Sequence, residues 1–298
     1  MMPADSAPAH RGHRFYAGIA LVLASAIGFS GKAVLVKLIY RYAVDPDTLL
    51  ALRMLLAFPF FFAMAAWSAV RAGHRLDRRE WLTVIYLGFI GYYLSSYLDL
   101  LGLQYVPAGL ARLILYLHPT MVIALSAALY KQRVQPRQAF SLLVCYAGIV
   151  LVFVEQASFA RAVSDLVAGG ALIFAGALLY AVYLICSAEV IGRLGALRLT
   201  AYASTIACVL AVAHFSALRE VRALIVPEPV YVLGIVLAVF STVLPVWLMG
   251  EGLRRIGANQ AVMVSSAGPV STIVLGFIFL GEPITLLQSL GAALVLAG

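Results

Sequence analysis

Apolar runs about as long as a membrane is thick recur from one end of the chain to the other, separated by short polar breaks or breaks at Pro and Gly. A spanning helix needs roughly 20 apolar residues at about 1.5 Å rise each. Cutting the sequence at its breaks predicts ten such helices: Phe15 to Leu38, Leu49 to Val70, Trp81 to Leu103, Pro107 to Tyr130, Gln138 to Val154, Leu166 to Ile191, Leu199 to Leu218, Val230 to Leu253, Ala258 to Leu280 and Ile284 to Gly298. The last is short beside its counterpart in the first half, so either the sequence is trimmed or this helix ends inside the membrane. The first run is too long for the apolar part of a cleaved secretory signal.

The pattern repeats. Gly102-Leu103 returns as Gly252-Leu253, Ala108 as Ala258, Pro119 as Pro269, Gln138 as Gln288 and Ala147-Gly148 as Ala297-Gly298, with a constant offset of 150 and no gap. Five predicted spans per unit is an odd number, so the second unit must enter the membrane from the opposite side to the first. The predicted fold class is an all-α integral membrane protein of ten helices in two inverted repeats, an arrangement in which the substrate path lies where the units meet. The predicted organisation is a cytoplasmic tail over 1–14, a first repeat over 15–154, a periplasmic linker over 155–165 and a second repeat over 166–298.

Composition agrees: 298 residues, 63% hydrophobic and 11% charged, with a mean hydropathy of +0.99, describe a chain whose solvent is the bilayer. Charge sets the orientation. With the amino terminus inside, thirteen basic residues fall on the inner side (among them Arg71, Arg78, Arg79, Lys131, Arg254 and Arg255) and five on the outer (Lys37, Arg41, Arg161, Arg219 and Arg222). The positive-inside rule then places both termini in the cytoplasm; the expected location is a bacterial inner membrane. The net charge of +8 is read as topology signal and anionic-lipid contact, with the lipid bilayer and a small-molecule substrate as partners and no nucleic acid. Cys145, Cys186 and Cys208 all fall inside predicted helices and are odd in number, which argues against a disulfide framework. No metal or other cofactor is expected, and the expected working unit is a monomer.

The chemistry lies in the polar residues that interrupt the apolar runs. A charge near the bilayer centre costs at least ~2.5 kcal/mol, so each needs a partner, water or a function. Lys32, Arg53, Asp99 and Arg112 fall at similar depth in the outward half of their helices; three cations and one carboxylate make a net positive site suited to a substrate carboxylate. The alternative is structural, with Asp99 and Arg112 pinning two helices together and Lys32 and Arg53 reaching toward the interface. Tyr92, Ser96 and Asp99 share one helix face at i, i+4 and i+7, as do Arg112, Tyr116 and Thr120, and Tyr180, Tyr183 and Ser187. Trp247 falls opposite Tyr97 in the repeat. These rings could stack on a substrate or hold an ammonium group. His118 could relay protons, with Asp99 the better carboxylate for proton coupling, or sit neutral against a carbonyl freed by Pro119. Pro119 and Pro269 form a symmetric pair of candidate hinges.

Several motifs resemble the drug/metabolite transporter superfamily in its EamA branch. Leu280-Gly281-Glu282-Pro283-Ile284-Thr285 followed by Gln288, Gly291 and Gly298 is similar to that family's signature between its last two helices, and the first half matches through Pro119, Gln138 and Gly148. Arg53 in Leu52-Arg53-Met54-Leu55-Leu56 and Lys37 match further. The first half carries Gln132 where the pattern has the Glu seen as Glu282, and Gly28 where it has Trp. The resemblance implies a ten-helix carrier, usually an exporter, with a central cavity between the halves and a substrate drawn from amino acids, other metabolites, nucleotide-like molecules, quaternary amines and drugs.

No GxxxxGK[ST] phosphate loop, HExxH or Ser/His/Asp spacing occurs in the sequence, so neither ATP-driven transport nor an intramembrane enzyme is expected. The expected function is export of small metabolites, foremost amino acids and among them aromatic ones, by alternating access. The alternatives are export of cationic or amphipathic drugs and a channel-like uniporter.

Overall fold

The computed structural model describes residues 8–71, 76–131, 135–159 and 162–297. Residues 1–7 of the tail, Gln132, Arg161 and Gly298, all named in the sequence reading, lie outside it. The described chain is helical throughout: α1 Pro8–Tyr40, α2 Pro46–Val70, α3 Arg78–Leu103 and α4 Ala108–Tyr130, α5 Pro136–Phe159, α6 Val163–Leu194, α7 Ala196–Leu218, α8 Glu228–Ile256, α9 in two pieces, Ala258–Ser265 and Gly268–Leu280, and α10 Leu286–Ala297. Nine of the described helices are long and apolar enough to cross a membrane and α10 is a shorter apolar one. α5 and α6 both run into the stretch predicted as linker, to Phe159 and from Val163.

The two halves share irregularities as well as residues. α3 has a π-helical turn over Gly88–Leu94, and α8 has one over Val239–Val243. α4 is interrupted between Leu115 and His118, and α9 between Ser265 and Gly268. α4 ends on Lys131 at φ 52° and α9 on Gly281 at φ 71°, both left-handed. Each pair is spaced as the sequence repeat is. The interruptions have a direct cause: a proline gives no N–H to the carbonyl four residues earlier. Pro269 so strips the Ser265 carbonyl, which accepts instead from the Tyr116 hydroxyl of α4. Serine hydroxyls of α1 serve two other carbonyls of the second repeat, Ser25 that of Pro245 at 2.7 Å and Ser30 that of Gly268 at 2.8 Å. Broken backbone inside a bilayer is tolerated where neighbouring side chains satisfy it in this way.

Helices pair across the two repeats: α2 with α7, α1 with α8, α3 with α6, and α5 with α10. Glycines set the closest approaches. A Cβ on Gly148 would stand 2.6 Å from the Gly291 carbonyl, and one on Gly102 would stand 2.6 Å from the Gly169 carbonyl, so small residues let these backbones touch.

The core is unevenly divided between the two ends of the bundle. At the far face, where α1 ends, one continuous cluster joins residues such as Ile39, Leu49, Leu103, Leu113 and Ile173. At the near face, where α1 begins, packing separates into two clusters. One holds Val84 and Leu87 of α3, Tyr183 of α6 and Leu199 of α7; the other holds Val22, Ile256 and Ala261 of α1, α8 and α9.

Candidate functional site

A cavity of about 460 Å³ lies at the middle of the bundle, with walls from α1, α2, α3, α4, α6, α7, α8 and α9. Tyr92 and Tyr180, which pack on one near-face cluster, and Met249, which packs on the other, all line it. The cavity thus borders both near-face clusters.

Of the residues proposed from sequence as substrate-binding, Lys32, Arg53, Tyr92, Ser96, Asp99, Arg112, Tyr116, His118 and Tyr180 all line this one space. Trp247 does not: it is 62% exposed, because the helix turns its ring outward while Val246 and Met249 face in. Pro119 and Pro269 stand behind the wall, at the starts of the second pieces of α4 and α9. The shared face read from spacing holds in α3, across its π-turn, and does not hold in α4 or α6. In α4 the interruption turns Thr120 away, its hydroxyl donating to the Leu117 carbonyl at 2.7 Å. In α6 Ser187 donates to the Leu184 carbonyl at 3.0 Å, and Tyr183 packs against Gly91.

Charge is the main feature of the site. Lys32 Nζ donates to Asp99 Oδ2 at 2.6 Å, joining α1 to α3. Asp99 is 3% exposed and pairs here rather than with Arg112. Among the described residues Arg53, 5% exposed, has a long 3.5 Å contact from Nη2 to Ser96 Oγ, while its Nε and Nη1 are buried without a partner, as are Arg112 Nε and Asp99 Oδ1. Arg112 lies over the Tyr116 ring, 5.5 Å from its centre. Both guanidinium groups interact electrostatically with Asp99. His118 meets Tyr180 edge-on, ring centres 4.9 Å apart, and Tyr180 stacks in turn on Tyr183 at 5.4 Å.

Other lining groups carry no signal in a single sequence: Ser204 of α7, Ser241 and Thr242 in the α8 π-turn, and Ser265 at the α9 break. The α8 π-turn, which brings Ser241 and Thr242 to the wall, was itself not signalled by the sequence.

Between the Lys32–Asp99 pair and the far face the helices are tied to one another. The Tyr40 hydroxyl donates to the Leu100 carbonyl at 2.8 Å, eight residues along α1 from Lys32, or roughly 12 Å of packed helix. Asp47 accepts from Tyr97 at 2.8 Å and from Arg219 at 3.1 Å, with His214 4.0 Å away and bonded to Tyr93. Asp45 caps α2 through the Thr48 amide at 3.0 Å. Glu282 Oε1 accepts from the Ala108 amide at 3.0 Å, capping α4, where Pro107 supplies no side-chain acceptor. A second cavity of about 640 Å³ sits at this face, lined by Lys37, Tyr40, Arg41, Asp45, Gln104 and Glu282 among others. At the near face Glu251 pairs within its own helix with Arg254 at 2.7 Å and Arg255 at 2.8 Å. Among the described residues no group of histidine, cysteine or carboxylate side chains could hold a metal ion.

The profile of the EamA-like transporter family matches residues 16–154 and again 167–298. The chain belongs to this family. It is 29% identical over 280 residues to the Bacillus subtilis (strain 168) protein named uncharacterized transporter YcbK, covering 92% of this chain and 89% of that one. It is 24% identical over 288 residues to an uncharacterized transporter of Archaeoglobus fulgidus, covering 93% and 96%. A solved crystal structure superposes on 94% of each chain with a TM-score of 0.63 at 17% identity, a likeness of fold alone. The protein is thus a multi-pass membrane transporter of the EamA fold, built from two repeats.

Proposed function

We propose that this EamA-family transporter is a secondary carrier that moves small metabolites bearing a carboxylate, foremost amino acids, through the central cavity by alternating access, in the direction of export. The observation that carries the reading is the cluster of Lys32, Arg53 and Arg112 around the single carboxylate of Asp99, inside one cavity between the repeats. Buried guanidinium groups without partners favour an anionic group arriving with the substrate, since charge-assisted bonds to a carboxylate are the strongest such groups make.

The division of the core supports alternating access. One end of the path is sealed by continuous packing and the other is parted by the cavity, as expected for one of two states related by exchange of the repeats' conformations. The interruptions before Pro119 and Pro269 are the hinges on this reading; at the second, Tyr116 and Ser30 hold the Ser265 and Gly268 carbonyls by side-chain hydrogen bonds. Positive-inside placement of the near-face arginines puts that face in the cytoplasm, so the open end takes substrate from inside. Asp99 and His118 are the groups through which a proton gradient would act.

The test is uptake of labelled amino acids into proteoliposomes holding the purified protein, with and without a pH gradient, beside Lys32→Ala. Saturable uptake lost in the variant is expected. No uptake above empty vesicles for any amino acid would overturn the substrate class and favour organic cations.

A further inference from the structure

The electrostatic accounting of the cavity goes beyond a single carboxylate. Among the described lining residues the ionised groups are Lys32, Arg53, Arg112 and Asp99. Lys32 and Asp99 neutralise one another at 2.6 Å. Two guanidinium groups on different helices, α2 and α4, remain, and each has at least one buried nitrogen with no acceptor among the described residues. A neutral amino acid would match one of them with its only carboxylate and leave the other guanidinium without a counter-charge. A ligand with two carboxylates matches both.

Resting on the carrier reading above, we propose that the substrate of this cavity carries two carboxylates, one for Arg53 and one for Arg112, as in a small aliphatic dicarboxylate or an acidic amino acid. In the acidic amino acid the ammonium has a partner as well, because Asp99 Oδ1 is buried and unpartnered beside the Lys32 bond. The aromatic lining does not oppose this. Tyr180 is engaged by His118 and Tyr183, Tyr92 by Tyr183, and Tyr116 by Arg112 and the Ser265 carbonyl. Ring faces committed to one another and to protein groups are less free to stack on an aromatic substrate.

The experiment is equilibrium binding of labelled aspartate to the purified full chain, competed with unlabelled succinate, glutamate, phenylalanine and lysine. Succinate, glutamate and aspartate are expected to compete at concentrations about tenfold or more below phenylalanine, the discrimination that one additional charge-assisted contact supplies. Arg53→Gln and Arg112→Gln should each erode that preference, bringing aspartate toward phenylalanine. Aspartate ahead of succinate assigns the ammonium to Asp99 Oδ1, and the reverse order assigns the free dicarboxylate; both support the two-carboxylate site. Phenylalanine competing as well as or better than the dicarboxylates would overturn the proposal and leave the carrier reading intact. Competition by lysine alone, or no saturable binding of any carboxylate, would overturn both.

Discussion

The Lys32–Asp99 pair yields a prediction whose sign depends on what surrounds it. Asp99→Asn keeps the side chain's shape but leaves Lys32, Arg53 and Arg112 with no carboxylate in the cavity wall. Removing one partner of a buried ion pair costs about 3–5 kcal/mol, because the other charge stays buried and uncompensated. Lys32→Met keeps most of the apolar stem and leaves Asp99 with two guanidinium groups already in its field. That loss is nearer one charge-assisted hydrogen bond, about 1.5–3 kcal/mol. Asp99→Asn should therefore melt several degrees below Lys32→Met, followed by helical circular dichroism of the detergent-purified protein without substrate. Joining the two substitutions should recover part of the Asp99→Asn loss, since the pair is coupled. A Lys32→Met protein melting at or below Asp99→Asn would refute the reasoning, because it would mean that the arginines do not share the carboxylate's field.

Other parts of the fold make their own predictions. Gly148→Ala should destabilise by about 1–3 kcal/mol, since its Cβ would press on the Gly291 carbonyl of α10. Gly192→Ala, with nothing within 4 Å of a Cβ, should be neutral or stabilising by up to ~1 kcal/mol, so its melting temperature should hold or rise where that of Gly148→Ala falls. Glu282→Ala should cost about 0.5–2 kcal/mol by uncapping α4, and Glu282→Gln, which keeps an acceptor for the Ala108 amide, should restore most of it. Burial pushes the Asp45 carboxyl up, but hydrogen bonds from the Thr48 amide and hydroxyl together with Arg219 outweigh it and hold the group below the usual carboxylate value. A depressed carboxyl contributes stability that is present above its unfolded value and lost as pH falls through its folded one. The gap in melting temperature between the wild type and Asp45→Ala should thus be full at neutral pH and narrow below pH ~4.

Much of this architecture was legible because the bilayer makes composition a direct reporter of structure. Every span predicted by apolar length has a helix in the described chain, and the repeat read from pairs such as Pro119 and Pro269 reappears as matched interruptions in α4 and α9. Lys32, Arg53, Asp99 and Arg112 could be picked out because an apolar segment tolerates a charge only for a reason. Spacing on an ideal helix was the weaker guide. It holds for Tyr92, Ser96 and Asp99 and fails for Thr120, which lies past the interruption, and for Tyr183 and Ser187 of α6; Trp247, read from its repeat counterpart Tyr97 and not from spacing, faces outward. Which carboxylate pairs with which cation was not legible either. Lys32 and Asp99 are 67 positions apart, and only the contact between α1 and α3 brings them together. The far-face network of Asp47, Arg219, Tyr97 and His214 joins side chains from α2, α3 and the end of α7, with no local motif to announce it.

The most direct test of the account is counterflow. Proteoliposomes preloaded with a high concentration of unlabelled amino acid are diluted into a trace of the same amino acid, labelled, and accumulation is followed in time. An alternating-access carrier must reorient with its cavity loaded or empty, so the account predicts a transient overshoot of label above its equilibrium level, abolished in Lys32→Ala. A monotonic rise to equilibrium with no overshoot, equally fast with empty vesicles, would contradict it and describe a channel.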